Sequence, residues 1–175
     1  THLTGRYNEI HLFPFSFREY CNYHQLDTKG ITTKDVADIK RAFMEYITIG
    51  GFPEIQSIRN KRGYVQSLLE AIITKDIQQR FNIRHTDALR KIANHLINYV
   101  CQEVNYDDIA KLMGITDQTA RKYVDYLRQA FLIQLLTKHS YKSKERIRNA
   151  KAYIIDPGLQ NNRDNSFAGE NIGWR

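Results

Sequence analysis

Residues 105–129 read Asn-Tyr-Asp-Asp-Ile-Ala-Lys-Leu-Met-Gly-Ile-Thr-Asp-Gln-Thr-Ala-Arg-Lys-Tyr-Val-Asp-Tyr-Leu-Arg-Gln, and they restrict the fold more than any other stretch. Both ends of two successive helices are written into them. Asn105 is an N-cap residue, and Asp107 and Asp108 fall in the first turn, where a carboxylate meets the positive end of the helix dipole. Ile109, Leu112 and Met113 give that helix an apolar stripe. Gly114 stands where a helix ends with positive φ. Ile115 plugs the angle, and Thr116 caps a second helix in which Ala120, Tyr123, Val124, Leu127 and Phe131 recur at helical spacing. A short Gly-containing turn between two such helices is the signature of a helix-turn-helix.

The flanks extend this unit. Upstream, Leu89, Ile92, Ala93, Leu96, Ile97 and Val100 predict a helix over Asp87 to Cys101. Downstream, Leu132 to Leu136 and Lys151 to Ile155 are strand-like runs separated by a basic stretch. A helix, a helix-turn-helix and a β-hairpin in that order predict a winged-helix domain. The basic stretch would be its wing. From Lys138 to Lys151 there are six bases (Lys138, Lys142, Lys144, Arg146, Arg148, Lys151) against Glu145 alone, a local charge of +5 out of +7 for the chain.

The second helix offers Gln118, Thr119, Arg121 and Lys122 off its apolar stripe. Gln and Arg side chains read adenine and guanine edges in a major groove, because each makes two hydrogen bonds there. Such contacts come from the start of the reading helix. Lys142, Lys144, Arg146 and Arg148 in the wing would meet phosphates of double-stranded DNA, an attraction that weakens steeply with salt. Asp117 and Asp125 put negative charge on the same helix. A winged helix that serves only as a protein-interaction or scaffolding module fits these residues too, as does a free-standing transcription regulator.

Ahead of this domain the pattern is helical. Arg6 to Phe13 alternates and predicts a short strand, closed by Phe13-Pro14. Ser16 and Glu19 form a capping box, predicting a short helix from Phe17 to about Tyr23, followed by a polar loop from Gln25 to Thr33. Thr33 is the expected cap of a helix from Lys34 to about Ile49, on which Val36, Ile39, Lys40, Phe43, Tyr46 and Ile47 predict one buried face and which Gly50-Gly51 stops. Val65, Leu68, Leu69, Ile72, Ile73 and Ile77 predict a long helix from Tyr64 to Arg80, with Asp76 and Arg80 paired four apart on its surface. Asp156-Pro157-Gly158 reads as a turn, and the polar segment after it as a loose tail.

Catalytic chemistry is missing from the sequence. It holds no Gly-x-x-x-x-Gly-Lys-Ser/Thr loop and no Gly-x-Gly-x-x-Gly. His2, His11, His24, His85, His95 and His139 are scattered without metal-ligand spacing, and Cys21 and Cys101 fit no zinc or redox motif. No catalytic or metal-binding residue is predicted. Two isolated cysteines, with no apolar run of membrane-spanning length, suit a reducing, cytoplasmic setting.

Several motifs in order resemble a known family. Thr4-Gly5-Arg6-Tyr7 through Phe13-Pro14-Phe15-Ser16-Phe17-Arg18-Glu19-Tyr20 resembles the end of the ATPase core of prokaryotic AAA-type P-loop ATPases. Gly50-Gly51-Phe52-Pro53-Glu54, Lys75-Asp76-Ile77, Thr119-Ala120-Arg121-Lys122-Tyr123 with Tyr126-Leu127, and Lys151-Ala152-Tyr153-Ile154-Ile155-Asp156-Pro157-Gly158-Leu159 resemble the module of unknown function after that core, as in archaeal ATPases. The resemblance implies a mainly α chain: the end of the core (1–24), a helical lid-like region (25–84), the winged helix (85–157) and a loose tail (158–175). It implies a parent protein that binds ATP and Mg upstream of Thr1, in the same polypeptide, and is open to homo-oligomer assembly. Arg6, by its position alone an ordinary surface arginine before a strand, would on this resemblance act on a nucleotide held by a neighbouring subunit. No function in the membrane is implied.

Overall fold

The computed structural model describes residues 8, 10–29, 32–83, 85–137 and 150–161. Among these the chain is mainly helical, with one two-stranded antiparallel sheet.

Helix α1, Phe17–Tyr23, carries the predicted capping box: Ser16 accepts from the Glu19 amide and Glu19 accepts from the Ser16 amide at 2.7 Å. Helix α2, Thr33–Ile49, is capped in the same reciprocal way by Thr32 and Asp35, one residue ahead of the expected Thr33, because Asp35 returns to the Thr32 amide. Its apolar face departs from the sequence pattern. Only Ala42 is fully buried, and Val36, Phe43 and Met44 are exposed. Among the described residues α2 packs mainly against α1 and the last helical turn, so most of the face lacks a cover.

Gly50 ends α2 at φ 89°, ψ −179°, a conformation open in practice to glycine alone. Pro53–Ser57 then form a 3₁₀ turn with Ile55 fully buried. Helix α3, Lys61–Ala71, begins three residues earlier than its apolar spacing predicts, because the Asn60 side chain accepts from the Gly63 amide at 3.1 Å. From Ile72 to Gln79 the helix widens into π winding. Four-residue neighbours no longer stack there. The expected Asp76–Arg80 pair does not form among the described residues, and the Arg80 guanidinium lies 5.4 Å from the Phe81 ring centre instead.

Helix α4, Thr86–Asn98, is the centre of the core. Leu89, Ile92, Ala93, Leu96 and Ile97 are all buried, as their spacing predicts. It packs against α5, Tyr106–Met113, and α6, Asp117–Gln129. Strand β1, Ile133–Leu136, pairs antiparallel with β2, Lys151–Ile154, with Ile133 opposite Ile154 and Leu136 opposite Lys151. Glu103, between α4 and α5, adds a single bridge to Lys151. One apolar cluster runs from Ile55, Val65 and Ile73 through α4 and α6 to Leu132, Ala152 and Leu159.

Two further expectations are corrected. Residues 10–13 form no strand: Ile10 and Leu12 are exposed, and no sheet edge among the described residues meets them. The tail expected to be loose from residue 158 opens with a helical turn, α7, Gly158–Asn161, and Leu159 there is a core residue. Residues 162–175 lie outside the described residues.

Candidate nucleic-acid interface

Helices α5 and α6 and the turn between them form as the capping signals require. The Asn105 carboxamide oxygen accepts from the amides of Asp107 and Asp108 at 3.2 and 3.3 Å. Gly114 takes φ 65°, ψ 34°, and the Ile115 amide returns to Ala110 at 3.0 Å. The Thr116 hydroxyl accepts from the Thr119 amide at 3.2 Å. Ala120, Tyr123, Val124 and Leu127 bury one face of α6. The residues between them are thereby turned outward.

The four residues predicted on α6 do not present equal chemistry. Gln118, Arg121 and Lys122 are exposed, and Thr119 is half-buried with its hydroxyl 2.8 Å from that of Thr116. Thr119 is thus engaged in the cap. Arg121 donates from Nε to Asp117 at 2.7 Å, and its guanidinium lies 4.3 Å from the Tyr106 ring centre. That hydrogen bond holds the Asp117 carboxyl below its usual range. Farther along, Arg128 donates to Asp125 at 2.7 and 3.0 Å, and Gln129 donates to the same carboxylate at 2.7 Å. Asp125 is likewise held low, chiefly by Arg128. Between Tyr106 and Gln129 four bases face four acids, so the helix pair is electrically neutral. Lys122 is the α6 cation without an ion pair among the described residues.

Lys142, Lys144, Arg146 and Arg148 lie outside the described residues, as do Arg6, Lys138 and His139. The sheet still fixes where their segment is attached. Leu136 opposite Lys151 is the pair farthest from α6, and residues 137–150 join these two positions. The hairpin follows α6 directly through the turn at Phe131, which takes φ 56°.

A cleft of about 510 Å³ opens between the start of α4 and the α5–α6 turn, with His85, Asp87, Lys91, Met113, Ile115 and Thr119 among its lining. Among the described residues no group of three or more His, Cys, Asp or Glu is placed to hold a metal. No described helix is long and apolar enough to cross a membrane.

Sequence reasoning missed one built feature. Asp156 has no exposed surface, and its carboxylate accepts from the amides of Gly51 at 2.6 Å and Gly158 at 2.8 Å. Burial raises its pKa above the ordinary value against the opposing pull of those two bonds. Asp-Pro-Gly signals a turn; nothing local tells that the acid turns inward to a loop 105 residues away. The stacking of Phe81 on Tyr126 at 3.9 Å was equally invisible in the sequence.

Residues 40–167 match the family model described as Domain of unknown function (DUF8612). The chain belongs to this family. Among its relatives is the Uncharacterized protein MJ1544 of Methanocaldococcus jannaschii, 31% identical over 165 residues, a match covering 89% of this chain and 37% of the relative. An Uncharacterized protein of Haemophilus influenzae is 28% identical over 168 residues, covering 91% of this chain and 40% of the relative. The DUF8612 chain thus spans about two-fifths of the length of the relatives it matches. No solved structure matches it.

Proposed function

We propose that residues 85–157 are a winged helix that binds double-stranded DNA chiefly through phosphates, as the regulatory end of a larger ATP-binding protein. The carrying observation is one of placement. The order α4, Glu103 bridge, α5, α6, β1, β2 gives a hairpin directly after α6, and residues 137–150, which join its two strands, carry five bases against one acid. Lys142, Lys144, Arg146 and Arg148 supply most of the phosphate contact. Gln118 and Lys122 add a small contribution from α6, whereas Arg121 is engaged by Asp117 and Tyr106. The ATP cycle belongs to the part of the polypeptide outside the matched region, for which both relatives have room.

Fluorescence anisotropy of a labelled duplex across a salt series tests this. Removing one cation that meets a phosphate should reduce the slope of log affinity against log salt by about 0.9, so replacing Lys144 and Arg146 together by Ala should reduce it by roughly 2. Arg121→Ala should leave it almost unchanged. No binding at low salt, or a slope untouched by the paired change, sinks the proposal.

A protein partner is the second reading, and a specific observation favours it. The exposed face of α6 has its arginines internally paired, and the helix pair carries no net charge. On that reading the winged helix is a scaffolding module, and the salt series shows no binding at all.

A further inference from the structure

The Asp156 carboxylate stands two residues past β2 and has no ion pair among the described residues. Its two backbone donors come from separate parts of the chain, the loop after α2 and the turn before Leu159. The fit leaves no room for side chains. A Cβ on Gly50 would lie 1.9 Å from Asp156 Oδ1, and one on Gly158 would lie 2.4 Å from the Ile49 carbonyl oxygen. The loop that donates to Asp156 also holds the N-terminal segment. The Gly51 carbonyl accepts from the Phe15 amide at 2.7 Å, and a Gly51 Cβ would sit 2.2 Å from the Phe15 carbonyl oxygen. That oxygen accepts in turn from the Tyr46 hydroxyl at 2.8 Å.

These contacts make one hydrogen-bonded line: Tyr46, Phe15, Gly51, Asp156, Gly158. We propose that it is a latch, through which the position of residues 13–15 controls how firmly the end of the β1–β2 hairpin is held against α2. The physical reason is the cost of a half-open line. If Phe15 leaves Gly51, the loop is freed. If Gly51 leaves Asp156, a buried anion retains a single donor, and a buried charge with unmet hydrogen bonds is driven toward water. The carboxylate then turns outward and takes the segment after β2 with it. Both ends therefore open together. The device is independent of what the hairpin or α6 contacts.

Amide hydrogen exchange on the full chain tests the latch. Tyr46→Phe removes only the hydroxyl that holds Phe15. Exchange should rise roughly five- to tenfold at Phe15, at Gly51 and at Ile155, whose amide bonds Leu132 at 3.2 Å, with Val124 and Leu127 in α6 unchanged. Asp156→Asn presents an amide donor to one of the two backbone donors, and should raise exchange at Phe15 from the opposite end. Faster exchange at Phe15 alone in Tyr46→Phe, with Gly51 and Ile155 unmoved, overturns the latch. An unchanged Phe15 in Asp156→Asn overturns it as well. If Asp156→Asn does not fold, the Tyr46→Phe result decides alone.

Discussion

Replacing Gly50 by Ala separates two costs that a glycine can hide, because Gly114 provides a control in the same chain. Both residues have positive φ, 89° at Gly50 and 65° at Gly114. A Cβ on Gly114 would have nothing within 4 Å, whereas one on Gly50 would lie 1.9 Å from Asp156 Oδ1 and 2.8 Å from its Cγ. Gly114→Ala therefore bears the backbone term alone, about 1 kcal/mol in the left-handed helical region. Gly50→Ala bears a backbone term of about 1 to 3 kcal/mol in a region essentially restricted to glycine. It also forces the carboxylate away from the Gly51 and Gly158 amides, and a hydrogen bond to a charged group contributes about 1.5 to 3 kcal/mol. With the two bonds weakened rather than both lost in full, the expected total is about 4 to 6 kcal/mol.

Far-UV circular dichroism during urea and thermal unfolding measures both variants. At about 2 to 4 °C per kcal/mol for a chain of this size, Gly50→Ala should melt about 10 to 20 °C below the parent, and Gly114→Ala only a few degrees below. The urea slope should stay constant, so that the difference reports stability rather than a changed unfolded state. Equal losses in the two variants, within about 1 kcal/mol, would refute the reasoning, since the contact with Asp156 would then contribute nothing beyond backbone strain.

Thr116→Ala should cost about 1 kcal/mol in urea unfolding by removing the acceptor for the Thr119 amide, and a loss of only a tenth or two would show that the cap is idle. His95 supplies a pH prediction. Burial depresses its pKa below 6.5, so the folded chain disfavours the imidazolium. That stability is complete above the unfolded pKa of 6.5 and is lost as pH falls through it toward the folded value. The urea midpoint should decline between about pH 7.5 and about pH 5.5, and His95→Gln should flatten the decline; equal slopes in both chains would contradict the assignment.

The parts of the fold legible in the sequence are those set by local chemistry. Caps at Ser16, Asn105 and Thr116, the stop at Gly114 and the stripe on α4 depend on residues three to seven apart, and each appears where its pattern puts it. What failed depended on distant partners. Ile10 and Leu12 alternate like a strand, yet a strand needs an edge, and none meets them among the described residues. Val36 and Phe43 have core spacing, yet burial needs a cover, and the described elements bury only Ala42 fully while Ile39, Tyr46 and Ile47 are half-covered. Asp156 is the reverse case: a polar residue in a turn motif that is buried because Gly50, far away in the chain, and Gly158 beside it leave room for it. The π winding over Ile72–Gln79 left no mark in the composition, because Ile73 and Ile77 keep an ordinary helical interval.

The candidate site divides along the same line. Periodicity correctly turned Gln118, Arg121 and Lys122 outward, because it fixes which face of α6 is buried. It could not weigh how available their charges are. Arg121 and Asp117 are four apart, and Arg128 and Asp125 three apart, spacings at which side chains on one helix meet. A phosphate approaching Arg121 must displace a carboxylate and a Tyr106 ring contact, exchanging one set of favourable contacts for another, so the net gain is small. Residues 137–150, with five cations and one acid, have no such competitor within the stretch for most of their charge. On the proposed reading, the attraction for an anionic polymer resides mainly in the segment joining β1 to β2, with α6 adding shape and the hydrogen-bonding capacity of Gln118. This division leaves the helix face equally suited to a neutral protein surface, and duplex binding at low salt that falls steeply as salt rises is the result that separates the two partners.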